Sequence, residues 1–135
     1  MADFEECKVT AGRTTHPDAQ WFPHARMGLF MHWGIHSVAG IQPSWAMIKD
    51  YPGGGDKDYP PDRYFALAEQ FQPRRYDPDK WLAAAHKAGF MYAVLTTKHH
   101  DGYALWPSAF GDFSTRRYMA GRDLLLPYVE ACRKN

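Results

Sequence analysis

Two adjacent histidines, His99 and His100, stand one residue after the apolar run MYAVLTT (residues 91–97) and are followed by Asp-Gly. A neutral imidazole donates a hydrogen bond from one ring nitrogen and accepts one at the other, so it suits the hydroxyl groups of a polyhydroxylated ligand. The alternative is a solvated strand end whose histidines cap loop carbonyls. Adjacent histidines at a strand terminus favour the functional interpretation, because ligand sites of parallel α/β folds lie at strand ends.

A second candidate, His32, ends the apolar run RMGLFM and is followed by Trp-Gly. By the two-residue period of a strand it shares a face with Gly28 and Phe30. If the two strands are neighbours, His32 converges with one member of the histidine pair; the alternative is a core histidine bonded to a backbone carbonyl. Trp45 lies in the loop that follows. Tryptophan is more often a core residue, but from this position Trp45 is the best candidate for stacking on the apolar face of a sugar.

The spacing of these side chains limits the chemistry they predict. Consecutive strand residues face opposite ways, so His99 and His100 reach one ligand only if the chain bends, and Gly102 permits that bend. A metal site needs three or four ligands, which His32, His99, His100 and Asp101 supply in principle, but their spacing matches no compact metal motif. We therefore expect no metal and no cofactor. Asp101 is the only acidic residue directly at a predicted strand end, whereas retaining glycoside hydrolysis generally needs two carboxylates ~5 to 5.5 Å apart. The sequence predicts a binding half-site without catalytic carboxylates.

The elements that must position these residues follow a strand, loop and helix order that occurs twice. Short, nearly continuous apolar runs at residues 26–34 and 91–97 predict strands covered on both faces, as in parallel sheets. Repeating units of this kind imply an α/β fold with right-handed crossovers and chemistry at the carboxyl ends of the strands. A complete eight-stranded barrel takes roughly 250 residues, so 135 residues predict the N-terminal segment of a larger (β/α)₈, TIM-like barrel.

The helices are predicted from their end signals. Asp77 as N-cap, Pro78 at the first helical position and Gly89 as the stop define the clearest helix. A short helix is expected from Asp62 to Phe71, and a final helix from about Asp123. In the final helix, Leu125, Val129 and Cys132 are expected to fall on one stripe. The segments 35–61 and 98–122 are predicted to be long irregular loops, the first of them mobile.

Composition excludes several classes of protein. The net charge is +1, from 16 basic and 15 acidic residues, so we expect no nucleic acid and no anionic membrane as partner. Cys7 and Cys132 are predicted to be free thiols. The opening MADFEECKVT has no basic and apolar signal pattern, and no window approaches the ~18 apolar residues of a membrane span. The sequence as written predicts a cytoplasmic protein, and it indicates no oligomeric state.

Four stretches together resemble the α-L-fucosidases of glycoside hydrolase family 29. They are WFPHARMGLFMHWGIHSVAG, SWAM, FQPRRYDPDKWLAAAHKAGFMYAVLTTKHHDGYALWPS and RDLLLPYVEACRKN, in family order from residue 21 to residue 135. The resemblance implies that residues 21–135 form the N-terminal part of a catalytic barrel, preceded by an extension at residues 1–20. It also implies a retaining mechanism through a covalent fucosyl-enzyme intermediate.

The same resemblance implies roles for individual residues. Histidines matching His32, His99 and His100 hold the fucose hydroxyls, and the tryptophan matching Trp45 lies nearby. The nucleophile and the acid/base are implied to lie beyond residue 135, and Ser44 stands where family members commonly carry glutamate. Many members are lysosomal, periplasmic or secreted.

The sequence therefore predicts an α-L-fucosidase-type retaining exo-glycosidase acting on terminal α-L-fucosyl groups of glycans, represented by an N-terminal segment. The first alternative is a non-catalytic fucose-binding remnant or pseudoenzyme, and the second is a metal-dependent hydrolase. Residues 1–135 alone are expected to be inactive and marginally stable. The expected cause of the low stability is uncovered apolar side chains of the strands, such as Leu29, Met31, Val94 and Leu95.

Overall fold

The fold is built on a pair of parallel strands. The computed structural model describes residues 15–51 and 59–135. Strand β1 (Gly28–Met31) pairs in parallel with β2 (Tyr92–Leu95), with Gly28 opposite Tyr92 and Met31 opposite Leu95. The predicted parallel pairing is confirmed, and it brings the segments after Met31 and Leu95 to the same edge of the sheet.

Helical segments fill much of the chain between and after the strands. The α-helices are α1 (Pro61–Phe65), α2 (Pro78–Lys87), α3 (Thr115–Tyr118) and α4 (Leu126–Lys134). Shorter 3₁₀ turns occupy Pro17–Ala19, Phe22–His24, Ile35–Val38, Trp45–Met47 and Ala66–Glu69.

Helix α2, which connects the two strands, has the ends that its sequence predicts. The Asp77 carboxylate accepts a hydrogen bond from the Lys80 backbone N–H at 3.1 Å, which satisfies one of the unpaired donors of the first turn. Gly89 adopts a φ of +94° just after the helix, a conformation that favours glycine. These local signals are why this helix is predicted correctly.

Helix α1 starts differently from the prediction. Pro60 is its N-cap residue and Asp62 lies inside the first turn, so Asp62 does not cap the helix. A proline at the first helical position, Pro61, starts the helix because its φ is already suitable and its missing N–H is not needed there.

Helix α4 begins at Leu126 rather than near Asp123. The Asp123 carboxylate accepts hydrogen bonds from the N–H groups of Leu125 and Leu126, at 2.7 and 2.9 Å, and so caps the start of the helix. Cys132 of the predicted stripe is an exposed free thiol, as expected of its redox state. Helix α4 packs on α2 through a cluster formed by Leu82, Tyr128 and Ala131, with Leu125 and Val129 around it.

The two faces of the sheet are covered unequally. Met31 and Leu95 pack against the cluster between α2 and α4, so the expectation that they are uncovered is wrong, and Leu29 is half-buried. On the opposite face Phe30 is 64% exposed and Val94 is 38% exposed. The prediction of strands covered on both faces is therefore wrong for the described residues, because α2 and α4 both lie on one side.

Aromatic side chains close the amino end of that second face. The Tyr92 ring lies across Gly28, where an added Cβ would come within about 2.1 Å of the ring. Trp21 and Phe22 contact Tyr92, with ring centroids 6.1 and 5.3 Å away. The glycine in β1 thus gives Tyr92 room to pack flat against the sheet.

A larger core lies between the segments that the sequence predicts to be irregular loops. Ile35, Tyr64 and Leu124 are fully buried in it. Helix α3 and the 3₁₀ turns Ile35–Val38 and Trp45–Met47 lie within these segments, so the described parts are not wholly irregular. The mobility of the first loop stays a prediction. Part of the first loop, residues 52–58, lies outside the described residues. Because this core joins both loops after β1 and β2, it fixes the backbone around the strand ends.

The predictions about membrane spans, cellular location and Cys7 are tested only in part by the fold. Within residues 15–51 and 59–135, no helix is long and apolar enough to cross a membrane. The cytoplasmic location stays a prediction, and Cys7 lies outside the described residues.

Candidate functional site

The candidate histidines meet at the carboxyl ends of the two strands. His32 follows β1 and its Nε2 is 3.0 Å from the Thr96 hydroxyl, which follows β2. The His32 and His99 rings are 5.5 Å apart between centroids, and His32 also contacts Phe30 on its own face of β1. His32 is exposed, so it is available to a ligand and is not a core histidine.

His99 and His100 lie side by side rather than on opposite faces. Their ring centroids are 4.8 Å apart, and both rings contact Trp45, at 5.8 Å from His99 and 5.1 Å from His100. The chain turns at His100, and Gly102 adopts a φ of +83°. The bend that brings both imidazoles to one place is therefore present.

Trp45 has one of its two ring faces covered by protein. Tyr51 stacks on it with centroids 5.1 Å apart and an interplanar angle of 7°. The indole therefore offers a ligand its remaining surface, beside the two histidines.

Asp101 is held by protein groups. Its Oδ2 accepts a hydrogen bond from the Tyr64 hydroxyl at 2.8 Å, and its Oδ1 accepts one from the Tyr103 backbone N–H at 2.9 Å. The Asp101 N–H in turn donates to the Ser44 hydroxyl at 2.9 Å. These bonds give Asp101 a structural task, which is to connect the two loops beneath the histidines.

Burial lowers the pKa of the two inner histidines and so favours their neutral form. Burial is the main cause that lowers the pKa of His99; the neighbouring His100 and His32 lower it further, and Asp101 opposes them. The pKa of His36 is also lowered, again chiefly by burial, with Asp101 opposing. A neutral imidazole keeps one donor and one acceptor, which is what a hydroxyl-rich ligand needs.

His36 is a member of this site that the sequence analysis missed. It is buried, its Nδ1 has no hydrogen-bond partner within the described part of the chain, and it lines one cleft with His32, His99 and Asp101. The available signal was its position four residues after His32 in the same strand-end loop.

The cleft among these residues is narrow. It has a volume of about 10 Å³, which is room for about one water molecule. A larger, mostly apolar cleft of about 270 Å³ lies at the other end of β2, beside Trp21, Met91 and Tyr92. A sugar bound at the histidines must therefore rest against their outer edge and Trp45 rather than enter an enclosed cavity of the described residues.

Comparison with known proteins identifies the family. The family model described as alpha-L-fucosidase matches residues 6–135. The chain belongs to the alpha-L-fucosidase family. It is 34% identical over 129 residues to the tissue alpha-L-fucosidase of Bos taurus, covering 89% of this chain and 28% of that protein.

Solved fucosidase structures have a similar backbone fold over this part of the chain. An alpha-L-fucosidase of glycoside hydrolase family 29 from Bacteroides thetaiotaomicron matches with a TM-score of 0.73 and 31% identity over 91% of this chain and 28% of its own. The Thermotoga maritima alpha-fucosidase in complex with fucose matches with a TM-score of 0.67 and 32% identity, over 84% of this chain and 31% of its own. This fucosidase-family chain thus spans less than a third of the length of these relatives.

Proposed function

We propose that this chain carries part of the fucose-binding site of a retaining exo-glycosidase that removes terminal α-L-fucosyl groups from glycans. In this proposal residues 21–135 form the N-terminal part of a (β/α)₈ catalytic barrel and residues 1–20 precede it. The observation that carries the proposal is the meeting of three imidazoles beside Trp45 at the carboxyl ends of parallel strands, the end at which barrel enzymes bind ligands. Membership of the fucosidase family supports it.

Each side chain has a proposed role. His32, His99 and His100 hydrogen-bond the hydroxyl groups of the sugar, and Trp45 packs against its apolar face. Removal of one histidine leaves a bound hydroxyl without its partner, which costs about 1 to 3 kcal/mol. We therefore expect His99→Ala and His100→Ala each to weaken L-fucose binding about 5- to 150-fold.

The binding experiment is a titration with L-fucose, followed by the NMR signals of the histidine side chains. L-Rhamnose, a 6-deoxy-L-hexose with a different hydroxyl arrangement, is the ligand control. The control variant is His86→Ala, because His86 is an exposed histidine of α2, and this substitution is expected to leave affinity unchanged. Unchanged affinity in both His99→Ala and His100→Ala removes these residues from the site.

Catalysis is proposed to use carboxylates other than Asp101. A related Bacteroides thetaiotaomicron fucosidase has been trapped as a covalent intermediate with 2-fluoro-fucosyl fluoride, which supports a retaining mechanism. Asp101 already accepts hydrogen bonds from Tyr64 and Tyr103. Residues 1–135 expressed alone are therefore expected to hydrolyse an activated aryl fucoside at the background rate. Enzyme-level turnover that Asp101→Asn abolishes would instead make Asp101 the nucleophile.

Two alternative functions have direct tests. A non-catalytic fucose-binding protein is favoured if the reading frame that continues this sequence supplies no further pair of strand-end carboxylates. A metal-dependent hydrolase is favoured if the purified protein contains metal and loses activity on chelation. Among the described residues, no group of three or more histidine, cysteine or carboxylate side chains is placed to hold a metal ion.

A further inference from the structure

Ser44 has a strained backbone conformation beside the histidines. Its φ is 55° and its ψ is −41°, and the Trp45 N–H donates to the Pro43 carbonyl at 2.5 Å across it. This is a γ-turn of the positive-φ kind, which is rare and strained. Such strain persists only where the surrounding structure fixes it, and it is concentrated at functional sites.

A closed ring of hydrogen bonds fixes Ser44. Its N–H donates to the Tyr64 hydroxyl at 2.8 Å, and that hydroxyl donates to Asp101 Oδ2 at 2.8 Å. The ring closes where the Asp101 N–H donates to Ser44 Oγ at 2.9 Å. Both the backbone and the side-chain oxygen of Ser44 are therefore held in place.

Among the described residues, the other hydrogen-bonding neighbour of the Ser44 oxygen is His99. Ser44 Oγ lies 2.5 Å from His99 Nδ1. Ser44 is 3% exposed, and its oxygen already accepts the Asp101 N–H, so its own hydrogen needs an acceptor. If Nδ1 carried a proton, that proton would occupy the short space between Nδ1 and Oγ. The serine hydrogen would then be buried without an acceptor, which is unfavourable.

We propose that the Ser44 hydroxyl donates to His99 Nδ1 and so holds His99 as the neutral Nε2–H tautomer. Ser44 is thus a positioning residue, which acts on a ligand only through His99. The Nε2–H is left as a donor for a ligand hydroxyl, and this consequence rests on the proposed function. The tautomer itself does not depend on what the site binds.

The groups around His99 are consistent with a neutral ring. His100 and His32, on the same loop and on the end of β1, both disfavour a positive charge on it, as does burial, whereas Asp101 favours one. His36, the fourth histidine of the cluster, interacts with His99 in the same unfavourable sense. Of the described neighbours that act on the His99 charge, Asp101 alone favours protonation, and its two oxygens already accept hydrogen bonds from Tyr64 and Tyr103.

The test is ¹⁵N NMR of the histidine side chains in the ligand-free chain, with His99→Gln to assign the His99 signals. Above the pKa, we expect an unprotonated Nδ1, a protonated Nε2, and a slowly exchanging Ser44 hydroxyl proton. Ser44→Ala should shift the tautomer ratio toward Nδ1–H and raise the His99 pKa by about 0.5 to 1 unit, the loss of one hydrogen bond to the neutral form.

The matched control is Ser114→Ala. Ser114 is another buried serine, whose hydroxyl accepts from the Arg116 N–H at the start of α3, and its removal should change neither the His99 tautomer nor its pKa. A protonated Nδ1 in the unsubstituted chain overturns the proposal, and this measurement does not require a Ser44 variant to fold. Unchanged His99 signals in a folded Ser44→Ala overturn it as well, whether or not the chain binds fucose.

Discussion

The hydrogen bonds of Tyr64 to Ser44 and Asp101 join two loops. Their energy can be measured by removing the phenolic oxygen of Tyr64 and, for comparison, that of the buried Tyr103. Tyr64 is fully buried, and its hydroxyl accepts from the Ser44 N–H and donates to the Asp101 carboxylate. Tyr103 is 3% exposed, and its hydroxyl has no partner among the described residues. Burial raises the pKa of Tyr103 to about 12, so the hydroxyl stays neutral at every ordinary pH.

The two substitutions to phenylalanine should therefore change the free energy of unfolding by different amounts, or in opposite directions, because the two hydroxyls differ in their partners. Tyr64→Phe leaves a backbone N–H unpaired and removes a donor from a carboxylate, each worth about 1 to 3 kcal/mol. Because the two bonds share one hydroxyl, we expect a combined loss of about 2 to 4 kcal/mol in the free energy of unfolding. Tyr103→Phe removes a buried hydroxyl that has no hydrogen-bond partner among the described residues. We therefore expect the free energy of unfolding to stay the same or to rise by up to about 1 kcal/mol.

The assay is urea unfolding of both variants and the unsubstituted chain, followed by tryptophan fluorescence. Sucrose, which favours the compact state, is added at one concentration throughout to keep a weakened variant on a measurable curve. Equal losses in the two variants would refute the reasoning, since the effect would then come from removing a phenolic hydroxyl and not from the Ser44–Tyr64–Asp101 bonds.

Three further predictions follow from the same geometry. Asp77→Ala removes the side-chain cap of α2 and should lower the free energy of unfolding by about 1 kcal/mol, measured by the same urea curves. His36 has a lowered pKa in the fold, so the unfolded chain binds its proton more readily; the stability that depends on this residue is complete above the unfolded pKa of about 6.5. It is lost as pH falls through the lower folded pKa, and His36→Gln should flatten this fall in unfolding curves taken between about pH 7.5 and 5.5. Phe30→Ser replaces an exposed apolar side chain of the sheet and should reduce self-association measured by analytical ultracentrifugation.

Each of these predictions has a contrasting variant. Asp112→Ala, at an exposed aspartate outside any helix start, should leave stability unchanged where Asp77→Ala does not. An unaltered pH slope in His36→Gln would show that other groups control the acid side of the stability profile. Met91→Ser, at another exposed apolar residue but before β2, tests whether association depends on the sheet face or on apolar exposure in general.

Predictable parts of the fold are those whose signals are local. Helix α2 is specified by Asp77 and Gly89 at its two ends, and the strands by short apolar runs of the right length. The exposure of Phe30 was not predictable in the same way, because it depends on which side of the sheet the helices occupy. The irregular loops carry no periodicity, so their burial around Ile35 could not be read from the sequence.

The residues of the candidate site also differ in whether their part could be predicted from the sequence. His32, His99 and His100 could be proposed as neighbours because histidines after apolar runs are visible in sequence, and the parallel strand pair brings them together. Their role in binding stays a prediction. His36 and Tyr64 were missed because their roles depend on contacts between residues far apart in the chain, such as the 2.8 Å bond from Tyr64 to Asp101. Polar groups that hold site residues in place through long-range hydrogen bonds leave no periodic pattern in the sequence.

Ser44 shows what the structure adds to a difference noted in sequence. It stands where the resemblance to family 29 fucosidases leads one to expect glutamate, and sequence alone marks it as a departure. An ionised carboxylate accepts hydrogen bonds and donates none, whereas a serine hydroxyl does both. Ser44 Oγ lies 2.5 Å from His99 Nδ1, so in the proposal above serine gives this nitrogen a donor that an ionised carboxylate lacks. In that proposal a serine at position 44 leaves Nε2 as the nitrogen from which His99 donates to a ligand.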